Sequence, residues 1–306
     1  MDFLFQIICN IFPHYIVAKN KIYKKTFYII FSLLKYFLKG PFIINFKDFK
    51  FYSYPNKSDY SKFILTRGVM PDPREIGIIK KYIFNEKSIF IDCGANAGFY
   101  TIPIAISNPL STVISFEPSN IELKKLKNNI KLNNLKNVVI EKFAISNKVQ
   151  NVLFQETGKT NSNFSSGNGH IIDKTNDKKF EYKVKAINID SYLKKIKIQP
   201  STKIMIKIDL EGHDLKAIYG AKKTINKYKT LILFEFSKMI INDPSYCKID
   251  FANFLKKNNL ILLNLYNKKY TVNMLHYDLS KLDKNHDTIG NFVLLKKSEL
   301  KKLKFF

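Results

Sequence analysis

From residue 88 onward, short apolar runs of strand length alternate with longer amphipathic segments of helix length. This alternation is typical of a parallel sheet with helices on both faces, because helical crossovers join successive parallel strands. The apolar runs predict seven strands, at residues 88–92, 111–116, 137–145, 203–209, 229–235, 260–264 and 291–295. The segments between them predict helices at residues 98–107, 118–132, 214–227 and 248–258. We therefore expect an α/β domain with a mostly parallel, seven-stranded sheet.

The interval 146–188 interrupts this alternation. It contains strand-like pieces at Asn151–Phe154 and Phe180–Ala186, separated by a polar, glycine-rich segment at Thr157–Gly169. A loop of this length inside a compact domain is typically a lid, a binding loop or a disordered segment. These three alternatives stay open at this point.

Residues 1–73 precede the alternation and predict an N-terminal extension to a main domain at 74–306. Phe42–Phe46 and Phe49–Tyr54 flank a Lys-Asp turn and predict a β-hairpin, with short strands continuing to residue 67. Residues 74–84 predict a helix.

The first 18 residues carry Asp2 as their only charge, and a run of lysines follows at Lys19, Lys21, Lys24 and Lys25. A signal peptide has its positive charge before the apolar run, so this order does not predict secretion. No segment reaches the roughly 20 apolar residues that span a bilayer. Two interpretations stay open. One is a pair of helices that packs on the main domain or on a partner chain, and the other is peripheral contact of an interfacial helix with the inner face of an anionic membrane.

The net charge of +26 raises the question of a nucleic-acid partner. Of the 51 basic residues only Arg67 and Arg74 are arginines, and arginine is the side chain that grips phosphates and base edges with paired hydrogen bonds. We therefore expect no nucleic-acid partner. The three cysteines are too far apart for a zinc site or a disulfide framework, which is typical of a reducing, cytoplasmic compartment.

The first predicted strand ends at Asp92, and the sequence Gly94-Ala-Asn-Ala-Gly98 follows before the first helix. In doubly wound α/β folds, ligands bind at the carboxyl ends of strands, beside the first strand-to-helix turn. Gly94 and Gly98 allow the backbone to approach a ligand closely, and the start of the next helix favours an anionic group. The spacing departs from G-x-G-x-x-G, which counts against an oxidoreductase with a nucleotide cofactor.

Glu117 follows the second predicted strand directly. A carboxylate at this position accepts hydrogen bonds from both ribose hydroxyls of a nucleoside ligand. The alternative is an acid that only complements the dipole of the next helix, which begins at Pro118, where the fixed φ of proline is favourable. The glycine turn one strand earlier favours the ribose role.

Several segments, in the same order along the chain, resemble the FkbM family of methyltransferases: Ile91–Thr101, Phe116–Pro118, Asn128–Asn134, Lys207–Gly212 and Leu233–Glu235. The resemblance covers residues 75–265. It implies the Rossmann-like sheet of class I methyltransferases, with S-adenosylmethionine as cofactor, and makes 74–306 the catalytic domain. It also implies methyl transfer to a hydroxyl oxygen.

The resemblance implies roles for individual residues. Asp92, Gly94, Asn96 and Gly98 lie at the methionine end of the cofactor, Glu117 holds the ribose, and Ala144 borders the adenine. The other residues that it assigns to the cofactor site are Ala95, Tyr100, Thr101 and Pro118.

The segment that begins at Lys207 places acidic groups at the end of a strand, facing the expected position of the transferable methyl group. Asp209, Glu211 and His213 are candidates for the base that takes the proton of the attacking hydroxyl. The family pattern has a small residue where His213 stands and Glu where Asp214 stands. His213 is therefore either a base or a solvent-exposed residue at a helix start.

Asp209, Glu211 and Glu235 also offer oxygen ligands of the kind that Mg²⁺ prefers. The alternative, that these acids orient substrate hydroxyls or neutralise lysines, is the one that we favour, so no metal is predicted.

We thus predict an S-adenosylmethionine-dependent O-methyltransferase whose acceptor is a small molecule, a saccharide or a glycolipid. The alternatives are an oxidoreductase with a nucleotide cofactor and a non-catalytic, membrane-peripheral protein that retains the fold. The oligomeric state stays open.

Overall fold

The computed structural model describes most of the chain, namely residues 2–11, 39–54, 59–156, 169–172, 181–283 and 286–302 and isolated positions between 22 and 37. Helix α1 (Asp2–Ile11) packs on an antiparallel hairpin of β1 (Phe42–Asn45) and β2 (Lys50–Ser53). The hairpin predicted from the sequence is confirmed. The second predicted N-terminal helix and most of the predicted polar loop, at 157–168, lie outside the described residues.

Helix α2 (Asp59–Arg67) takes the place of the short strands predicted up to residue 67. The strand prediction was wrong because the buried side chains of Ser61, Ile64 and Leu65 recur at helical spacing. Helix α3 (Pro73–Ile83) agrees with its prediction to within one residue. Within the described part of the chain, no helix combines the length and the apolar character that crossing a bilayer requires.

The rest of the chain alternates between strands and helices. The strands are β3 (Ser88–Cys93), β4 (Thr112–Phe116), β5 (Val138–Glu141), β6 (Ala144–Ile145), β7 (Gln150–Gln155), β8 (His170–Ile172), β9 (Glu181–Ile187), β10 (Lys203–Ile208), β11 (Lys229–Ser237), β12 (Leu260–Asn264), β13 (Lys269–Tyr270) and β14 (Thr288–Lys296). The helices are α4 (Thr101–Ser107), α5 (Asn120–Leu132), α6 (Ile189–Leu193), α7 (Asp214–Tyr219), α8 (Lys222–Lys227), α9 (Lys238–Asn242), α10 (Lys248–Lys257), α11 (Val272–Ser280) and a closing 3-10 helix (Lys297–Lys302).

A mostly parallel sheet forms the centre of the described chain. It has eight strands in the order β13-β12-β14-β11-β10-β3-β4-β5. Strands β11, β10, β3, β4 and β5 are parallel, whereas β14 is antiparallel to both of its neighbours. The α/β class and all seven predicted strands are confirmed, and the two-residue strand β13 adds an edge.

The interval that interrupts the alternation forms a second, four-stranded sheet in the order β6-β9-β7-β8. The single strand predicted at 137–145 was wrong in one respect, because the chain leaves the central sheet after Glu141. Ala144 and Ile145 instead pair with Ala186 and Ile187 of β9. One predicted strand is therefore shared between two sheets.

Side chains of the central sheet alternate between two apolar clusters, one on each face. Phe90 and Met205 pack on the face that carries α3 and α4, whereas Ile91 and Ile206 pack on the face that carries α7, α8 and α10. The first cluster continues into the N-terminal extension, where the ring of Phe51 stacks on Phe99 at 5.3 Å between centroids. The extension and the sheet therefore share one apolar core.

Amide side chains cover both outer edges of the β1–β2 hairpin. Gln6 Oε1 accepts from the Ile43 amide at 2.7 Å, and Gln6 Nε2 donates to the Ile43 carbonyl at 3.1 Å. On the other edge, Asn133 makes the same pair of bonds with the backbone of Lys50, at 2.8 and 2.7 Å. Asn129 Oδ1 accepts from the Tyr52 amide at 2.7 Å. These bonds tie the hairpin to α1 and α5.

The prediction of one continuous helix at 214–227 was wrong, because the structure has two helices there. Helix α7 ends before Gly220, and α8 begins two residues later. The cause is a distant side chain: the Asp190 carboxylate accepts from the amides of Lys223 and Thr224, at 2.8 Å each. It also accepts from the Thr224 hydroxyl at 2.7 Å. A carboxylate that satisfies these unpaired amides gives α8 its own start.

Candidate active site

A cleft opens at the carboxyl ends of β3, β4 and β10. The order of the sheet reverses here, because β4 lies on one side of β3 and β10 on the other. Such a switch point is where open α/β sheets bind their ligands. The predicted site residues that line the cleft are Gly94, Ala95, Asn96, Tyr100, Glu117, Pro118, Ala144, Asp209, Glu211 and His213.

The glycine turn after β3 is fixed by its neighbours. The amides of Gly94 and Ala95 both donate to the carbonyl of Phe116, at 3.0 Å each. Gly94 has φ +81°, and a Cβ at this position would collide with the backbone carbonyl of Asp209. Gly98 has φ +97°, and its Cβ would lie 2.9 Å from the side chain of Leu126. The two glycines thus permit close packing of the protein on itself, in addition to any approach of a ligand.

Glu117 is held by two backbone amides at the end of β4. Its Oε2 accepts from the amide of Asn96 at 2.7 Å, and its Oε1 accepts from the amide of Ser119 at 2.8 Å. Burial raises the pKa of Glu117 to about 8, although both amide bonds favour the ionised form. The carboxylate is therefore oriented before any ligand binds, with lone pairs of both oxygens still available.

Asp92, Thr101 and Gly98 lie beneath the turn and do not line the cleft. The Thr101 hydroxyl donates to Asp92 Oδ2 at 2.7 Å and lies 2.6 Å from the hydroxyl of Ser115. Asp92 is fully buried, and burial raises its pKa above the ordinary value. Its Oδ1 has no hydrogen-bond partner among the described residues. Contact of these three residues with a cofactor stays a prediction.

The second sheet supplies a wall that the sequence did not reveal. Phe154 of β7, Ile171 of β8 and the neighbouring Gly169 line the cleft on the side of Ala144. Gly169 packs so closely on Phe154 that a Cβ there would lie 2.6 Å from the ring. No local pattern indicates this wall, because it depends on the pairing of β7 with strands far along the chain.

Glu156 connects this wall to the start of α5. Its Oε1 accepts from the Tyr182 hydroxyl at 2.5 Å, the Asn120 amide at 2.7 Å and the Ser119 hydroxyl at 2.9 Å. Ser119 also holds Glu117 through its amide. Glu156 therefore fixes the second sheet relative to the loop that carries Glu117.

The opposite end of the cleft contains an ion pair between a buried lysine and a partly exposed aspartate. Lys207 Nζ lies 3.0 Å from Asp209 Oδ2 and 4.7 Å from the centre of the Tyr100 ring. Burial lowers the pKa of Lys207, but the charges of Asp209 and Asp92 more than offset this effect and leave the pKa above its ordinary value. Lys207 therefore stays charged and neutralises part of an acidic region.

Glu211 and His213 stand beside this ion pair. Glu211 has φ +49°, and burial together with the charges of Asp209 and Glu235 raises its pKa to about 8. His213 lines the cleft just before α7. Glu235 lies in β11 away from the cleft lining, and burial, followed by the charge of Asp209, raises its pKa to about 7.

The N-terminal extension completes this acidic end with Tyr60, Pro71 and Asp72. The hydroxyl of Tyr100 donates to Asp72 Oδ2 at 2.9 Å. The sequence did not indicate these residues, because they lie outside the alternating pattern and reach the cleft only through packing of the extension.

The three acids that the sequence offers as metal ligands, Asp209, Glu211 and Glu235, do not gather around a common point. Among the residues that the structure describes, no group of three His, Cys, Asp or Glu side chains is arranged to hold a metal ion.

Comparison with known proteins adds to this geometry. A family model described as the methyltransferase FkbM domain matches residues 92–257, more than half of the chain. The curated protein "Methyltransferase 1" of Beauveria bassiana (strain ARSEF 2860) is 25% identical over 165 residues, which make up 48% of this chain and 65% of that protein. The match thus spans less than two thirds of the length of this relative.

The solved structures that this chain matches include methyltransferase FkbM from Methylobacillus flagellatus KT, at 16% identity and a TM-score of 0.41. The match covers 76% of this chain and 52% of that one. M. jannaschii TYW2 in complex with AdoMet is 16% identical with a TM-score of 0.36, over 83% of this chain and 84% of that one.

Proposed function

Because the chain belongs to the FkbM family of S-adenosylmethionine-dependent methyltransferases, we propose that its cleft transfers a methyl group from this cofactor to a hydroxyl oxygen of a saccharide or glycolipid. The sheet is that of a class I methyltransferase, as expected from the sequence. The observation that carries the proposal is Glu117, a buried carboxylate that two backbone amides orient at the switch point of the sheet.

The residues that line the cleft match the chemical groups of the cofactor. Glu117 offers two oxygens to the two ribose hydroxyls, and such charged hydrogen bonds contribute about 1.5–3 kcal/mol each. Ala144, Phe154 and Ile171 give an apolar wall that suits the adenine ring. The turn at Gly94–Asn96 leads into α4, close to the expected position of the methionine carboxylate.

When bound, S-adenosylmethionine supplies an electrophilic methyl group on a sulfonium. In our proposal Glu211 takes the proton that the acceptor hydroxyl loses as its oxygen bonds to the methyl carbon and the carbon–sulfur bond breaks. A carboxylate with a pKa of about 8 is a stronger base than an ordinary one. Asp209 is less suited to this role, because its Oδ2 is engaged by Lys207.

A saccharide acceptor is supported by the mixture of groups at the acidic end. Asp72 and Asp209 can accept hydrogen bonds from sugar hydroxyls, and the ring of Tyr60, 44% exposed, offers an apolar surface to the ring of a sugar. The excess of carboxylates there disfavours phosphate groups, which agrees with the expectation of no nucleic-acid partner.

We also propose a cytoplasmic location. The three cysteines, Cys9, Cys93 and Cys247, are all free, and this supports a reducing compartment.

Calorimetry with S-adenosylhomocysteine on the full chain tests the cofactor part of the proposal. Binding is expected, and failure of folded protein to bind would contradict it and leave the oxidoreductase and the non-catalytic protein as alternatives. Methyl transfer to a panel of cell-envelope glycans, followed by mass spectrometry, then tests the acceptor class. A methylated product that is not a saccharide or glycolipid would contradict that part alone.

A further inference from the structure

Helix α1 has one apolar face buried and another exposed. Phe5 and Cys9 are fully buried, and the ring of Phe5 meets Phe42 edge-on at 4.9 Å between centroids. On the opposite face, Phe3 is 77% exposed, Leu4 60% and Ile7 37%. These positions share one side of a helix because of its 3.6-residue period. The helix thus directs three large apolar side chains away from the protein.

Hydrogen bonds prevent α1 from rolling to bury this outer face. Gln6 is bonded to both the amide and the carbonyl of Ile43. At the start of the helix, Asp2 Oδ1 accepts from the Lys39 amide at 2.9 Å. Rotation of the helix would break all three bonds, so the outward direction of Phe3, Leu4 and Ile7 is part of the fold.

Exposed apolar side chains are concentrated in this part of the chain. Of the twenty large apolar side chains that stand exposed among the described residues, seven fall within the first 37 positions: Phe3, Leu4, Ile7, Ile22, Ile29, Leu33 and Phe37. Single exposed apolar residues are common on protein surfaces, but such a concentration is typical of an interaction surface.

The same segment is strongly basic. Residues 1–40 carry six lysines and a single acidic residue, Asp2. The lysines are Lys19, Lys21, Lys24, Lys25, Lys35 and Lys39. A second copy of the chain would present the same positive charge and be repelled, whereas anionic headgroups would be attracted. A segment rich in both apolar residues and lysines is typical of helices that lie in a membrane interface.

We propose that the exposed face of α1, formed by Phe3, Leu4 and Ile7, docks the protein on an anionic phospholipid bilayer, to which the positive charge of residues 1–40 attracts it. Helix α1 lies in the plane of the interface, with its outer face among the acyl chains. This inference goes beyond the proposed reaction and does not depend on it.

Vesicle flotation of the full chain tests the proposal. The protein is expected to float with phosphatidylcholine vesicles that contain about 30% phosphatidylglycerol, to float much less with phosphatidylcholine alone, and to dissociate at high salt. The double variant Phe3→Ser/Leu4→Ser should lower the bound fraction at least about tenfold, because two interfacial anchors are lost. Reversal of charge in Lys21→Glu/Lys24→Glu/Lys25→Glu should do the same.

A matched control is Phe84→Ser/Leu110→Ser, which removes side chains that are 63% and 56% exposed elsewhere on the surface. It should bind vesicles like the unmodified chain, and thermal melting should show that every variant is folded. Equal flotation with neutral vesicles, or unchanged flotation of the Phe3/Leu4 variant, would overturn the proposal. Light scattering provides a further check. The proposal would also be overturned if the unmodified chain formed a dimer that Phe3→Ser/Leu4→Ser dissociates, and neither protein bound vesicles.

Discussion

Lys207 and Asp209, two residues apart, form an ion pair of 3.0 Å in which the lysine is buried within the sheet and the aspartate reaches the cleft. Lys207 engages one oxygen of Asp209, whereas Glu211 forms no salt bridge among the residues that the structure describes. Our proposal that Glu211 is the base rests on this difference.

Glu211→Gln is expected to lower kcat by about 10²–10⁴-fold, because the attacking hydroxyl loses its proton acceptor. Affinity for S-adenosylhomocysteine should change little. The pKa of Glu211 is raised to about 8, so it is protonated below that pH, and kcat of the unmodified enzyme should rise as the pH increases through about 8. A pH profile of kcat checks this. If His213→Gln removes the rise and Glu211→Gln does not, the base is His213.

Above about pH 8, where Glu117 is ionised, Glu117→Gln should weaken binding of S-adenosylhomocysteine by about 1.5–3 kcal/mol, because the bonds to the ribose lose their charge. The pKa of Glu117 is about 8, and only its ionised form accepts both hydroxyl protons. Affinity should therefore rise with pH through about 8 in the unmodified chain and stay flatter in the variant, as calorimetry at several pH values will show.

The matched control for this variant is Glu141→Gln. Glu141 ends the neighbouring strand β5 but accepts a bond from the Tyr192 hydroxyl at 2.9 Å and does not line the cleft. Equal affinity losses in the Glu117 and Glu141 variants would remove Glu117 from its assigned role.

Glu156→Ala should raise KM for S-adenosylmethionine by about tenfold, since a carboxylate that accepts several hydrogen bonds is lost. The wall at Phe154 and the loop at Ser119 would then no longer be tied together. The kcat at saturating cofactor should be retained, because the acidic end is untouched. Lys183→Ala, on the same strand as Tyr182 and exposed, serves as the control. A fall in kcat at constant KM would argue against this positioning role.

Three glycine-to-alanine variants separate backbone strain from steric contact. Gly94→Ala should lower the free energy of unfolding by more than about 2 kcal/mol, because residue 94 has a positive φ and its new Cβ would collide with the carbonyl of Asp209. Gly290→Ala, also at positive φ but with no atom within 4 Å, should cost only about 1 kcal/mol. Gly77→Ala, in α3 with open space, should stabilise by about 0.5–1 kcal/mol. Urea unfolding measures all three, and equal losses at Gly94 and Gly290 would exclude the contact.

The strands of the central sheet were predictable because their signal is local: a short apolar run bounded by turn residues. Glu117 and Asp209 were predictable for the same reason, since each follows such a run directly. What the sequence did not reveal depends on distant partners. The break before α8 requires the carboxylate of Asp190, more than thirty residues earlier.

The residues that form the walls of the cleft also depend on partners that are distant in the sequence. Tyr60 and Asp72 reach it only because the N-terminal extension shares the core of the sheet, and Phe154 only because β7 pairs with β9. None of these residues has a local pattern that differs from an ordinary surface helix or strand. The position of the glycine turn after β3 was therefore better predicted than the residues that enclose the cleft; its contact with a cofactor stays a prediction.

The amide side chains along the β1–β2 hairpin have a consequence for how this protein behaves at high concentration. A two-stranded sheet has only edges, and each free edge is a template on which another chain can add a strand. Gln6 occupies the peptide groups of Ile43, and Asn133 those of Lys50, much as residues of flanking strands would. The hairpin is thereby closed to edge-to-edge aggregation without any added strand, through side chains whose loss would reopen it.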